Sequence, residues 1–210
     1  MWLVAPVMGA MSTFASISRL HIVAIAALGT LTFGWLFTGH YPWVLALVCA
    51  LDWFIVNLLN RVVDLAEDRV NRITGVAFVD RHRRAIIIAG FALLIGSLII
   101  SAIVSPLLTV LRLIYHALGL AYNWPILPGK RRIKALYFWK NTASAMGFVL
   151  TVFLYPLSLV GWGSDPTLLA PGITPATLWL SGAFFILFEL SYEVIYDLRD
   201  EPGDRAAGVR

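Results

Sequence analysis

Residues 60–68, NRVVDLAED, place an amide and two carboxylates at a spacing of four: Asn60, Asp64 and Asp68. On an α-helix such residues share a face and lie about 6 Å apart along the axis, so the three form one polar stripe. Continued backwards, the stripe meets Asp52, two turns deeper in the apolar run YPWVLALVCALDWFIVNLL. Near the other end of the chain Glu189, Glu193 and Asp197 again repeat by four, with Asp200 three residues on. Pro202 and Gly203 are expected to end that helix and leave Asp204 on a loop that can fold back. Two carboxylate sets converging from different helices cannot stay charged and unpaired at close range, and divalent cations are the simplest remedy.

The donors are all oxygens. Cys49 is the only cysteine, and no histidine stands at metal-site spacing near either set, which argues against zinc and for magnesium. Mg2+ takes one or two carboxylates and completes its octahedron with water and phosphate oxygens, so a diphosphate bridged by Mg2+ between the two sets fits this chemistry. Lys130, Arg131, Arg132, Lys134 and Lys140 are candidate cationic contacts to its outer oxygens, as are Arg61, Arg72 and Arg199.

The elements that position these groups are membrane helices. The chain has 210 residues, 60% hydrophobic and 13% charged, whereas a soluble domain carries about 25% charged residues. Apolar windows of roughly 20 residues, enough to span the hydrocarbon core, fall near 22–38, 43–59, 86–104, 107–123, 141–161 and 176–196. They predict an all-α polytopic bundle of six spans in a single domain over 1–210. Residues 1–18 lack the basic start of a secretory signal and read as a loose segment, or translation begins at Met8 or Met11.

Lysine and arginine concentrate in 61–84, 130–140 and 199–210, while the connections GHYP, VSPL and WGSDPTLLAPGITP contain neither. The positive-inside rule makes the basic connections and the amino terminus cytoplasmic, in an inner membrane. The net charge of +4 is then a topology signal rather than a nucleic-acid surface.

Asn60, Asp64 and Asp68 match the N-x-x-x-D-x-x-x-D signature of the UbiA family of intramembrane aromatic prenyltransferases. YDLRDEPGDRAAGVR resembles the family's second signature, D-x-x-D-x-x-G-D-R-x-x-G, with Asp197, Asp200, Gly203, Asp204 and Arg205 at matching places. Between them GLAYNWPILPGKRRIKALYFWKN resembles the tyrosine, proline and basic-loop segment before the fifth span. The resemblance runs from Ser18 onward. It implies a helical bundle whose central cavity opens sideways to lipid, and Mg2+-dependent transfer of an isoprenoid group from a polyprenyl diphosphate to a lipophilic or aromatic acceptor. By the same resemblance Asn60, Asp64, Asp68, Asp197, Asp200 and Asp204 hold the metal. Asn60, Arg72, Lys130, Arg131, Arg132, Lys134, Lys140 and Arg205 bind substrate, and Asp64, Asp200 and Tyr122 are catalytic.

Members of the family commonly carry nine spans, so the resemblance also implies either a fragment that lacks the C-terminal spans or a shorter protein that relies on a partner. The arginine-proline-x-proline-x-glycine segment that often follows the first signature reads NRITGVAFVDRHRRA here, with Arg72 and Gly75 but no proline. That weakens any transfer of acceptor identity. Aromatic faces of Trp53, Tyr115, Tyr122, Trp139, Tyr192 and Tyr196 are candidates to stabilise an allylic cation.

The blander readings are that the first stripe is a solvated helix end, that Asp52 and Glu189 stabilise the bundle by pairing, and that Arg112 and His116 form a buried polar pair. The rival function is an ion- or proton-coupled transporter using the intramembrane acids.

Overall fold

A computed structural model describes the backbone of residues 4–206 and the side chains of residues 11–136, 138–195 and 198. The helices in chain order are α1 (Val4–Ile17), α2 (Leu20–Thr38), α3 (Trp43–Val63), α4 (Leu65–Val70), α5 (Val76–Arg81), α6 (Arg83–Val104), α7 (Pro106–Asn123), α8 (Tyr137–Phe148), α9 (Tyr155–Leu159) and α10 (Pro175–Ala206). A π-helical segment, Val149–Leu154, joins α8 to α9 into one rod. Five helical stretches are long and apolar enough to cross a membrane: Leu20–Thr38, Trp43–Val63, Arg83–Val104, Phe138–Leu159 and Pro175–Ile195. The window expected as the fourth span is α7, of 18 residues; Arg112, His116 and Asn123 leave it less apolar than those five.

The ends of these helices follow from local chemistry. Gly39 closes α2 in the left-handed region at φ 75°, its N–H donating to the Trp35 carbonyl at 2.8 Å, a conformation glycine adopts without steric cost. Ser105 stands before Pro106, so α6 stops there; its hydroxyl accepts from the Leu108 N–H at 3.3 Å and starts α7. Two expectations need correction. Residues 4–17 form a helix rather than a loose segment, with Ile17 buried against Val62, Leu65, Val79 and Ile86. Nor do Pro202 and Gly203 end the last helix, which runs to Ala206, so the backbone at Asp204 is helical rather than a loop. Proline forfeits its own N–H bond but holds φ near the helical value, so a further turn can follow it.

The core sits between α2, α3, α7 and the α8–α9 rod. Val23, Leu45, Cys49, Trp53, Leu111, Tyr115, Phe148 and Tyr155 pack there. The Trp53 indole N–H donates to Thr151 Oγ1 at 2.9 Å, and the Thr30 hydroxyl lies 3.3 Å from the Thr151 carbonyl it donates to, so α2 and α3 are both tied to the rod. The outward side chains are apolar, among them Ile88, Ile99, Ile103, Phe184 and Leu187. In hydrocarbon such a surface carries no penalty, and helix contacts rest on close packing.

One contact of that kind is Gly34, where an added Cβ would lie 2.2 Å from Cγ of the rigid Pro42 ring. Gly34→Ala therefore spreads α2 from the start of α3, at a cost of about 1–3 kcal/mol. Its measure is the unfolding midpoint in detergent, and an unchanged midpoint would contradict this packing.

Candidate functional site

At the end of the bundle where α3 meets α4, Asn60, Asp64 and Asp68 are each only 5% exposed. Asp64 stands between the two helices at φ −90° and ψ 15°, a bend in what the spacing alone reads as one straight stripe. Hydrogen bonding still continues across the bend: the Asp64 N–H donates to the Asn60 carbonyl at 3.0 Å, and the Asp68 N–H to the Asp64 carbonyl at 2.8 Å. The backbone thus stays in helical register through the joint.

The basic loop between α7 and α8 folds onto this end. Leu127 and Arg131 exchange backbone hydrogen bonds at 3.2 and 3.3 Å around a turn in which Gly129 and Lys130 have positive φ. The chain so reversed delivers Arg132 and Lys134 to α4. Lys134 Nζ donates to Asp64 Oδ1 at 2.5 Å and to Glu67 Oε2 at 2.7 Å. Arg132 donates to Asp64 Oδ1 at 3.0 Å and to Glu67 Oε1 at 2.9 Å. Each carboxylate therefore meets both cations.

Beside this quartet Arg61 donates to Asp68 at 2.6 Å and to the Ser16 carbonyl at 3.1 Å, which draws the end of α1 to the same place.

The electrostatics match the contacts. Burial by itself raises the Glu67 carboxyl, but Lys134 and Arg132 outweigh it and hold the group below its ordinary value. Glu67 thus contributes stability that is full above about pH 4.3, its unfolded value, and is lost as the pH falls through the lower folded value. For Asp68 burial wins over Arg61 and Arg19 and pushes the carboxyl up.

The structure thus brings Asp64 together with Arg132 and Lys134 and Asp68 with Arg61, and buries Asn60 at the same end of α3. Arg72, Lys130 and Arg131 are exposed on loops, and Tyr122 and Lys140 are half-buried on α7 and α8. Side chains of Asp197, Asp200, Asp204 and Arg205 lie outside the described residues. Among the described residues no group of three or more histidines, cysteines, aspartates or glutamates is gathered to hold a metal. Glu67 is the residue that the motif reading missed. Its place three positions after Asp64 on the same face was the available signal. Trp53 and Tyr115 belong to the packed core.

The Mg2+ expected from the acid motif can be tested against the donors. Asn60 Oδ1 is buried and has no hydrogen-bond partner in the protein, and Asp64 and Asp68, four and eight residues on, supply hard carboxylate oxygens that are held by Lys134, Arg132 and Arg61. This is an oxygen set of the type Mg2+ prefers, and the residues fit.

A second polar centre lies about 12 Å deeper along α3, eight residues at the helical rise. Asp52 is fully buried. Arg112 of α7 binds it through Nη2 at 2.6 Å and Nε at 2.9 Å, His116 Nε2 lies at 2.9 Å, and the Tyr155 hydroxyl donates at 2.8 Å. Arg112 also donates to the carbonyl and hydroxyl of Ser97 on α6, each at 2.8 Å. Arg112 and His116 thus pair through Asp52. Glu189, expected to be paired, has a buried Oε2 without a hydrogen-bond partner, whereas Glu193 accepts from the Ser144 hydroxyl at 2.6 Å.

Compared with known proteins, the chain matches no family model, no curated protein and no solved structure.

Proposed function

We propose that this chain is a membrane-embedded prenyltransferase of the UbiA type, with six membrane helices of which α7 is one, transferring an isoprenoid group from a polyprenyl diphosphate to a lipophilic or aromatic acceptor in an Mg2+-dependent reaction. The observation that carries the reading is the meeting of Asp64 with Arg132 and Lys134 at the end of the bundle where Asn60 and Asp68 are also buried. Hard oxygen donors and multiple-donor cations side by side suit a metal-bound diphosphate better than either group alone.

Asn60, Asp64 and Asp68 would hold Mg2+ together with Asp197, Asp200 and Asp204. When bound, the metal neutralises charge that grows on the departing diphosphate. Arg132 and Lys134, already beside Asp64, contact the outer oxygens and stabilise the same charge. Lys140, Arg72, Lys130, Arg131 and Arg205 are further candidates for those oxygens, and Tyr122 on α7 is the candidate to stabilise an allylic cation. An open groove lined by Phe33, Leu180, Ser181, Phe184, Phe185 and Phe188 offers an apolar bed for the isoprenoid chain.

The transporter reading rests on the deep acids. Asp52 is bonded by Arg112, His116 and Tyr155, which favours a structural part for it. Purified chain supplied with geranylgeranyl diphosphate and a panel of aromatic and lipid acceptors should release inorganic diphosphate in Mg2+ and not in EDTA. No release in Mg2+, or equal release in both, would contradict the proposal.

The orientation has its own test. Cys49 is fully buried and silent to thiol reagents, whereas positions 164 and 129 are exposed. With the basic loops cytoplasmic, an impermeant maleimide labels Ser164→Cys in intact cells and Gly129→Cys only after lysis. The reverse pattern overturns the placement of the site.

A further inference from the structure

We propose that Asp64, Glu67, Arg132 and Lys134 form a counter-ion lock that admits a divalent cation only together with an anionic diphosphate, and that Glu67 is the positioning residue of the lock. The inference rests on the diphosphate reading above and assigns Glu67, which lies outside the acid motif, a part in it.

The argument is one of charge and occupancy. Asp64 is 5% exposed, and its Oδ1 accepts from both Lys134 Nζ and Arg132 Nη1. The same two side chains reach Glu67, one to each carboxylate oxygen. Two acids and two bases therefore cancel, Asp64 and Lys134 buried and Glu67 and Arg132 half-buried.

A bare Mg2+ arriving at Asp64 must displace a cation in direct contact and leave it near the metal, a repulsion that a low-dielectric setting strengthens. A metal-free diphosphate arriving at Lys134 and Arg132 must draw them from two carboxylates. When both arrive, each finds what the other has released: the carboxylates turn to the metal and the two cations to phosphate oxygens. The two ligands are thereby coupled, and each must tighten the other by the same factor.

Glu67 sets the strength of the lock without ligating either. It shares both cations with Asp64: Lys134 Nζ bonds the two carboxylates at once, and Arg132 gives one guanidinium nitrogen to each. Arg132 and Lys134 both keep Asp64, so replacing Glu67 by glutamine leaves no buried charge without a partner.

The test is calorimetry on the chain in phosphatidylcholine nanodiscs, with Mg2+ alone, inorganic pyrophosphate alone in EDTA, and each in the presence of the other. In the wild type either ligand alone binds at least about tenfold more weakly than with its partner, the coupling of about 1.4 kcal/mol per tenfold. Lys134→Met removes a cation from Asp64, so Mg2+ alone binds more tightly and pyrophosphate alone more weakly. Glu67→Gln leaves both cations to Asp64 with one negative charge fewer to balance them, so pyrophosphate alone binds more tightly and Mg2+ alone more weakly. A residue with a merely structural part would not give these opposite signs.

Repeating the Mg2+ titration in phosphatidylglycerol discs separates the sources of phosphate. Coupling that appears only on adding pyrophosphate assigns the ligand to a diphosphate, and coupling present without it assigns a lipid headgroup. Wild-type Mg2+ affinity that is the same with and without pyrophosphate overturns the lock while leaving the diphosphate site standing, as do variants that shift both ligands in one direction. A wild type that binds neither ligand in any combination overturns the functional reading along with the lock.

Discussion

Asp64→Ala abolishes magnesium-dependent binding of prenyl diphosphate, with affinity lower by at least about a hundredfold, or roughly 2.7 kcal/mol. The substitution takes away a hard oxygen donor at the joint of α3 and α4 and leaves Arg132 and Lys134 held by Glu67 alone. Because Asp64 is bonded to loop residues and not to the membrane core, insertion and helix content stay as in the wild type. Calorimetry with geranylgeranyl diphosphate in Mg2+ reads the binding, and circular dichroism confirms the fold. Asp200→Ala carries the same expectation from the second acid set. Wild-type-like binding in either variant would remove the basis for the metal assignment.

The largest effect on stability is expected at Arg112. Its side chain is 1% exposed and joins Asp52, itself fully buried, to the Ser97 carbonyl and hydroxyl. Arg112→Leu leaves the Asp52 carboxylate in the interior with only His116 and Tyr155 as partners. Breaking a buried pair in this way costs about 3–5 kcal/mol. The pair as a unit is a different matter, since replacing both members by groups of similar volume is often close to neutral. Asp52→Asn combined with Arg112→Leu is therefore expected to recover most of the loss, a strong positive coupling in a double-mutant cycle. Equilibrium unfolding in mixed micelles measures it. Losses that simply add would show that Arg112 and Asp52 act separately, and ion flux that disappears with Asp52→Asn at unchanged stability would return the transporter reading to the front.

The sequence made the helices and the first acid motif legible for different physical reasons. Membrane helices announce themselves because long apolar runs have only one way to satisfy the backbone in hydrocarbon, and five of the windows are realised at nearly the expected bounds. The motif was legible because a spacing of four on a helix gathers Asn60, Asp64 and Asp68 whatever surrounds them.

What the spacing could not supply were facts that depend on distant partners. The hold of Lys134 on Asp64 and Glu67 comes from a loop 70 residues away from Asp64 in sequence. Tyr155 meets Asp52 across 103 residues, so an acid that looked isolated in its own helix is bonded from three sides. The helix at Val4–Ile17 was missed because its 14 residues are too few to span a membrane; its end packs on Val62 and Leu65, residues far along the chain.

The most direct test of the central claim is calorimetric titration of the purified chain in nanodiscs with geranylgeranyl diphosphate, once in Mg2+ and once in EDTA. Saturable binding in Mg2+ that vanishes in EDTA is the result expected of a site in which Asn60, Asp64 and Asp68 share a metal-bound diphosphate with Arg132 and Lys134. Binding of equal strength in both conditions, or none in either, would contradict it.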